Sequence, residues 1–472
     1  MSDVLEDKNS KYFYDNHEER YLRYNARGTW QAQTERQFSQ VLADKGFRRS
    51  KRDDEMVSPA EAIMLKVRDH HDVEWHGTVA GYPPGLHEEG GFRFLVTHGP
   101  TFIEPKEGAF PMLDHIINSL LRDDVHTNQV TYLYGWLHFA IIALRQYIRR
   151  PGQALVLAGP KECGKSLLQK VITDLLGGRS ARPQQAMAGD TAFNSDLFSA
   201  EHLMMEDETP RTDIIHRRNL GAAIKSITVN ETQRCHKKGA PAIILRPFWR
   251  LSISLNDEPE DLLCLPPIDD AVSDKMIILR CHKVEMPMPT VTAPQRNAFW
   301  AALAKEFPAF LHFILSEFKT PAELRSERFG VTHMHHSAIL GDLEHSAPEI
   351  RLLELIDAEL WRSMISSWTG TSMELETLLT RNDSEVCHEV RGITRKWSGA
   401  IPAYMGRLSK SRPARVIRRR SPAHRLWEIT RPTTIGDEMT EEEERRREEE
   451  SNPAWATSGP DFSNEGSLTL GL

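Results

Sequence analysis

The densest chemistry in this 472-residue chain lies in eight consecutive residues, Gly159-Pro160-Lys161-Glu162-Cys163-Gly164-Lys165-Ser166, followed by Leu167. Their spacing is G-x-x-x-x-G-K-[ST], a loop whose glycines let backbone N–H groups wrap phosphate oxygens. Lys165 would reach the β- and γ-phosphates of a nucleotide, and the Ser166 hydroxyl would hold Mg²⁺. The flanks suit that role. LVLA before the loop reads as a buried strand. SLLQKVITDLL after it reads as an amphipathic helix, whose N-terminus adds its positive dipole end. Gly159 to Leu167 are therefore expected to bind ATP with Mg²⁺.

Such a loop does not by itself separate a kinase from a motor, so the acids downstream matter. About forty residues on, EHLMMEDET places Glu206, Asp207 and Glu208 at the end of an apolar strand. One carboxylate is needed to order Mg²⁺ through water and its neighbour to polarise the attacking water. Asp207 and Glu208 take these roles, with Glu206 as the alternative in a shifted register. A second apolar strand, RLSISLND, ends at Asn256, where a polar side chain can touch the γ-phosphate. Between the two strands, AIKSITVNETQRCHKKGAPAIILRP reads as a helix and then two strands around a basic tip, His236-Lys237-Lys238-Gly239. Lys237 and Lys238 are placed to touch a phosphate backbone. Nothing resembles the acceptor-binding lid of a P-loop kinase.

The elements that position these residues can be read from apolar runs at 154–158, 202–205, 251–255 and 276–281, the strands of an α/β core spanning 151–290. Residues 1–110 read as a small α+β region: alternating aromatics in KYFYDNHEERYLRYNARGTW suggest a small hairpin, and short strands and turns follow from about 60. A helical collar is expected at 111–150 and a mostly helical segment at 291–365.

Charge is distributed unevenly. The formal net charge is −8, and residues 436–472 hold eleven acids against three basic residues, so the preceding body is neutral. Within that body, Arg391 to Arg431 carries twelve Lys or Arg against the single acid Glu428. Residues 366–431 read as a winged-helix DNA-binding domain, with a helix near 402–409 and a wing containing Val416-Ile417 and Leu426-Trp427. Arg407, Arg412, Arg415, Arg418, Arg419 and Arg420 would meet phosphates. The acidic tail, 432–472, has little to bury and is expected to be disordered.

Five cysteines scattered singly, without a CxxC pair, suit a reducing compartment and argue against structural zinc. Histidines at 70, 71 and 76, and at 333, 335 and 336, lack metal-ligand spacing. No window of about 18 apolar residues and no secretory leader is present, so a cytoplasmic protein without a membrane is expected.

The order of phosphate loop, acidic strand end, helix with Lys225, basic hairpin and Asn-ended strand resembles the superfamily III helicases, which are AAA+ ATPases. In particular it is similar to the poxvirus-type primase-helicase branch of phages and mobile elements. The motifs cover about residues 150 to 290. The resemblance implies a homo-oligomeric ring, a hexamer in that family, hydrolysing ATP at subunit interfaces and gripping single-stranded DNA with central hairpins. Relatives often carry an Arg shortly after the Asn strand that reaches a neighbour's ATP. Here Lys275 and Arg280 stand there, with Arg217 and Arg218 as further candidates. No primase motif precedes the collar, so a separate primase or polymerase is an implied partner. The function so implied is an ATP-dependent DNA helicase or translocase in replication of a mobile element. The alternatives are a DNA-dependent ATPase in anti-phage defence or DNA remodelling, or a nucleotide-regulated DNA-binding protein.

Overall fold

The computed structural model describes residues 11–122, 128–206, 214–239, 242–345, 348–361, 366–394, 399–420 and 425–432. The chain divides into two compact units, Met1–Glu344 and His345–Leu472.

The first unit opens with β1 (Tyr12–Asp15), β2 (Arg20–Tyr24), β3 (Trp30–Gln33) and β4 (Asp72–Val73), in the order β3-β2-β1-β4. Successive side chains of a strand face opposite sides, and both sides are buried here. Tyr12 packs with Phe38, Leu42, Met64 and Val67 of the helices Glu35–Asp44 and Pro59–His70. Phe13 turns the other way, to Leu22, Val73 and Leu95. Where the sequence suggests a hairpin followed by strands and turns, the chain builds a four-stranded sheet and the helix Pro59–His70. That helix carries ordinary start signals. Ser58 accepts from the Glu61 N–H at 3.2 Å, and proline occupies the first turn.

A second sheet, β5 (Trp75–Gly77), β6 (Gly85–Glu89) and β7 (Phe92–Val96), has the order β5-β7-β6. The segment between β5 and β6 is joined to the middle of the unit. The Ala80 N–H donates to the Phe198 carbonyl at 2.7 Å, and the Phe248 N–H to the Ala80 carbonyl at 2.9 Å. Gly81 has φ +77°, and a Cβ there would stand 2.3 Å from Phe248 Cβ, so the close approach requires glycine.

The core follows, with β8 (Ala154–Ala158), β9 (Ser180–Ala181), β10 (His202–Met205), the antiparallel pair β11 (Gln233–Cys235) and β12 (Ile243–Leu245), then β13 (Arg250–Leu255) and β14 (Met276–Arg280). Five of these form a parallel sheet in the order β14-β8-β13-β10-β9. Both faces are covered, which is why β8 and most of β14 read as apolar runs. Leu155, Leu157, Ile277 and Leu279 pack with the helices Gln129–Arg145 and Lys165–Leu175. Ala154, Val156, Met276 and Ile278 pack with Leu220 and Ile224 of the helix Ile214–Val229. The helical stretch Ala293–Glu317 is long and apolar enough to cross a membrane. Here its Phe299, Leu303, Phe307 and Phe310 join the sheet's core, and Glu306 accepts from the Leu113 N–H at 2.9 Å. A short ribbon, β15 (Arg325–Ser326) and β16 (Gly330–Val331), interrupts the otherwise helical segment.

The second unit has its own core. The helices Pro348–Leu360, Ser372–Leu379, Cys387–Thr394 and Ala400–Ser411 surround Leu352, Ile356, Leu375, Val390, Met405 and Ile429. Its sheet, β17 (Ser367–Gly370), β18 (Val416–Arg420) and β19 (Arg425–Thr430), is antiparallel in the order β17-β19-β18. The helix Pro348–Leu360 shares this core, although the sequence groups it with 291–365.

Candidate nucleotide site and basic surfaces

The loop leaves β8 at Ala158 and enters the helix Lys165–Leu175 at Gly164, which has φ +117° and no side-chain cap. The first amides of that helix therefore face outward without an oxygen supplied by the cap, as an anion site requires. Gly159 is sterically obligatory, because a Cβ would lie 2.4 Å from the Cys281 carbonyl oxygen. Glu162 holds φ +57°, a left-handed turn that folds the loop back on itself.

Lys165 is only 7% exposed. Its Nζ donates to the carbonyls of Gly159 at 2.6 Å and Pro160 at 2.8 Å, and lies 3.5 Å from Asn256 Oδ1. Asn256 donates its Nδ2 to Asp261 Oδ2 at 2.9 Å. The two residues singled out at the ends of β8 and β13 thus meet, while Ser166 is exposed beside them. Asp261, which fixes the Asn256 amide, carries no sequence signal beyond its charge.

Asp207 and Glu208 lie outside the described residues. Their neighbour Glu206 forms an ion pair with Arg182 at 2.5 Å. The strand that delivers the acids is fixed by a buried polar network the sequence does not announce. Gln169 Nε2 donates to the Met205 carbonyl at 3.1 Å and to Ser252 Oγ at 2.9 Å. His202 bridges Thr173 Oγ1 and Ser252 Oγ, both at 2.7 Å. Burial pushes the His202 imidazole down to about 3, so it stays neutral. These four side chains bind the loop helix to β10 and β13.

The four cations considered for a trans-acting role differ in setting. Arg217 is 4% exposed and donates Nε to the Leu265 carbonyl at 2.8 Å, which makes it part of the fold. Lys275 pairs with Asp274 at 2.5 Å before β14, and Arg280 is half-buried at that strand's other end. Arg218 is exposed. On the basic hairpin, Lys237 pairs with Glu18 of the first sheet's turn, and Lys238 is exposed. The His236 N–H donates to Asn194 Oδ1 at 2.8 Å, and the Phe193 ring packs on His236.

In the second unit the six arginines fall into two groups. Arg407 pairs with Glu349 at 3.2 Å and Arg415 with Asp357 at 2.6 Å, all half-buried, joining β18 and the helix Ala400–Ser411 to the helix Pro348–Leu360. Arg412, Arg418, Arg419 and Arg420 are exposed, and Arg419 pairs with Glu428 at 2.7 Å.

No family model and no curated protein matches the chain. Among solved structures, it is similar to the apo structure of the NrS-1 C-terminal region (305–718), with 13% identity and a TM-score of 0.52 over 89% of this chain and 96% of that one. The A form of the same region gives a TM-score of 0.51 over the same shares. A JCV Helicase structure aligns with 14% identity over 52% of this chain and 67% of that one, at a TM-score of only 0.23. The likeness to the NrS-1 region is one of fold: a mixed α/β chain built on a parallel sheet with many helices.

Proposed function

We propose that the chain is an ATP-dependent DNA helicase or translocase of the superfamily III, AAA+ type, working as a ring, hexameric in that family, in the replication of a phage, plasmid or other mobile element. The observation that carries this reading is the meeting of Lys165 with Asn256 at the carboxyl ends of β8 and β13, in a sheet ordered β14-β8-β13-β10-β9. The basic hairpin sits between the acidic strand and the Asn strand in the chain, as in that superfamily. The loop fits a triphosphate, since Gly159 leaves no room for a Cβ and the helix N-terminus has no side-chain cap. Mg²⁺ would be held by Ser166 and Asp207, where it would supply positive charge between phosphate oxygens. Lys165 would exchange its loop carbonyls for phosphate oxygens, Asn256 would sense the γ-phosphate, and Glu208 would take the proton of the attacking water.

Lys237 and Lys238 would then grip a single strand, and the second unit would hold duplex DNA. Its succession of helix, strand, helices and two-stranded ribbon supports reading it as a winged helix, in which β18 and β19 would be the wing. A strand-displacement assay with purified protein tests the whole reading. ATP-dependent release of the displaced strand is expected, and Lys165→Ala should abolish it. ATP hydrolysis stimulated by single strands without displacement would instead indicate a DNA-dependent ATPase that does not unwind.

A further inference from the structure

The phosphate loop holds a cysteine, and a second one stands against it. Cys163 lies two residues before Lys165, and Cys281 follows the last residue of β14. The Cys281 N–H donates to the Ala158 carbonyl at 2.6 Å, and the Val284 N–H donates to the Cys163 carbonyl at 3.3 Å. The segment after β14 therefore runs along the loop, and the two thiols share a hydrogen bond within one apolar cluster. They are 2% and 1% exposed. The adjoining loop residues Lys161 and Glu162 are exposed.

We propose that Cys163 and Cys281 form a reversible disulfide that locks the phosphate loop and withdraws it from nucleotide. The consequence for nucleotide rests on the ATP-site reading above, whereas the disulfide itself does not. The hydrogen bond from Cys281 and the nearby Lys165 ammonium, 3.8 Å from Cys163 Sγ, hold the Cys163 thiol down to about 6. Burial pushes Cys281 well above the usual thiol range. Cys163 is thus the more readily ionised sulfur, and Cys281 the one that keeps its proton. With a hydroperoxide as oxidant, the Cys163 thiolate attacks the peroxide oxygen, forming a sulfenic acid and releasing hydroxide or alkoxide. Cys281 sulfur then attacks the sulfenic sulfur, and the departing hydroxyl leaves as water with the Cys281 proton. Two thiols lose two electrons, the peroxide gains them, and one S–S bond forms. The S–S bond so formed is about 2.05 Å long. Afterwards Cys163 is fixed to the end of β14, and Lys165 stays against the Gly159 and Pro160 carbonyls instead of moving to phosphate.

The test treats the reduced full chain with diamide, whose azo bond takes up the two protons and two electrons directly. Disulfides are mapped by mass spectrometry of non-reduced peptides, and binding of a fluorescent ATP analogue is followed by anisotropy. A peptide linking Cys163 to Cys281 and a loss of affinity of about tenfold or more, equal to about 1.4 kcal/mol, are expected. Dithiothreitol should restore binding, and excess ATP should slow the linkage. Cys281→Ala, with Cys281→Val as a volume-filling second variant, should bind the analogue before and after diamide. Absence of the linked peptide, or its full formation with unchanged affinity, overturns the proposal. Reduced protein that binds no analogue at all is a separate outcome, which overturns the nucleotide-site reading and with it the switch's output.

Discussion

Lys165 is held by carbonyls of its own loop, so the proposed binding of a triphosphate would replace two neutral acceptors by charged ones. Lys165→Ala should therefore leave the fold intact, by circular dichroism, while turnover drops about 10²- to 10³-fold, as when one preorganised donor to transition-state charge is lost. Near wild-type turnover would remove the loop assignment. The carboxylates offer a sharper comparison. Glu206 is paired with Arg182, whose side chain is 60% exposed, so Glu206→Gln should cost little beyond a weak surface pair. Glu208→Gln should bind ATP yet hydrolyse it slowly, because an amide does not take a proton from water. The reverse pattern would shift the acidic register by two. Lys165 could be singled out from the sequence because the phosphate-loop pattern is short and contiguous. Asp261 and Cys281 could not, since each acts through a partner distant in the chain and neither has a local pattern of its own.

The strands were legible for a related reason. Burial on both faces makes β8 and β14 almost wholly apolar and leaves apolar runs in β10 and β13, whereas the two-residue β9 gives no periodicity to read. The helix Pro59–His70 is masked in the sequence by its glycine-rich neighbours, although Ser58, Pro59 and Glu61 announce its start. Least legible was the network of Thr173, His202, Ser252 and Gln169, which joins three elements through side chains far apart in sequence. It makes a prediction about acid stability. The folded His202 titrates near 3, whereas an unfolded histidine titrates near 6.5. Between those values only the unfolded chain binds the proton, so this contribution is complete above about pH 6.5 and is lost as pH falls toward 3. Each pH unit in that window should cost about 1.4 kcal/mol. Denaturant unfolding at pH 7, 5.5 and 4.5 should show the slope, and His202→Gln should flatten it. An unchanged slope in the variant would assign the acid sensitivity elsewhere.

For the molecule as a whole, a basic lobe of formal charge +11 at residues 391–431 offsets a net −11 on residues 1–390, an acidic tail of −8 follows, and the structure sorts the lobe's arginines by what they can do. Arg407 and Arg415 neutralise Glu349 and Asp357, so they serve packing within the second unit. Arg412, Arg418 and Arg420 lie exposed on or beside β18, where phosphates can reach them. Duplex binding by the full chain should weaken with salt, because each engaged phosphate contributes about −0.9 to the slope of log affinity against log salt. Replacing both Arg418 and Arg420 by Ala should make that slope shallower by about 2 and leave the melting temperature unchanged. Arg415→Ala should do the opposite, lowering the melting temperature by removing the cation paired with half-buried Asp357 while changing the slope little. Removing residues 436–472 should tighten binding, most at low salt where the Debye length is about 30 Å at 0.01 M, because the tail's −8 competes for the same cations. Fluorescence anisotropy across several salt concentrations reads all three. A slope unmoved by the Arg418 and Arg420 pair would take β18 off the DNA, and its arginines would then face an acidic protein partner.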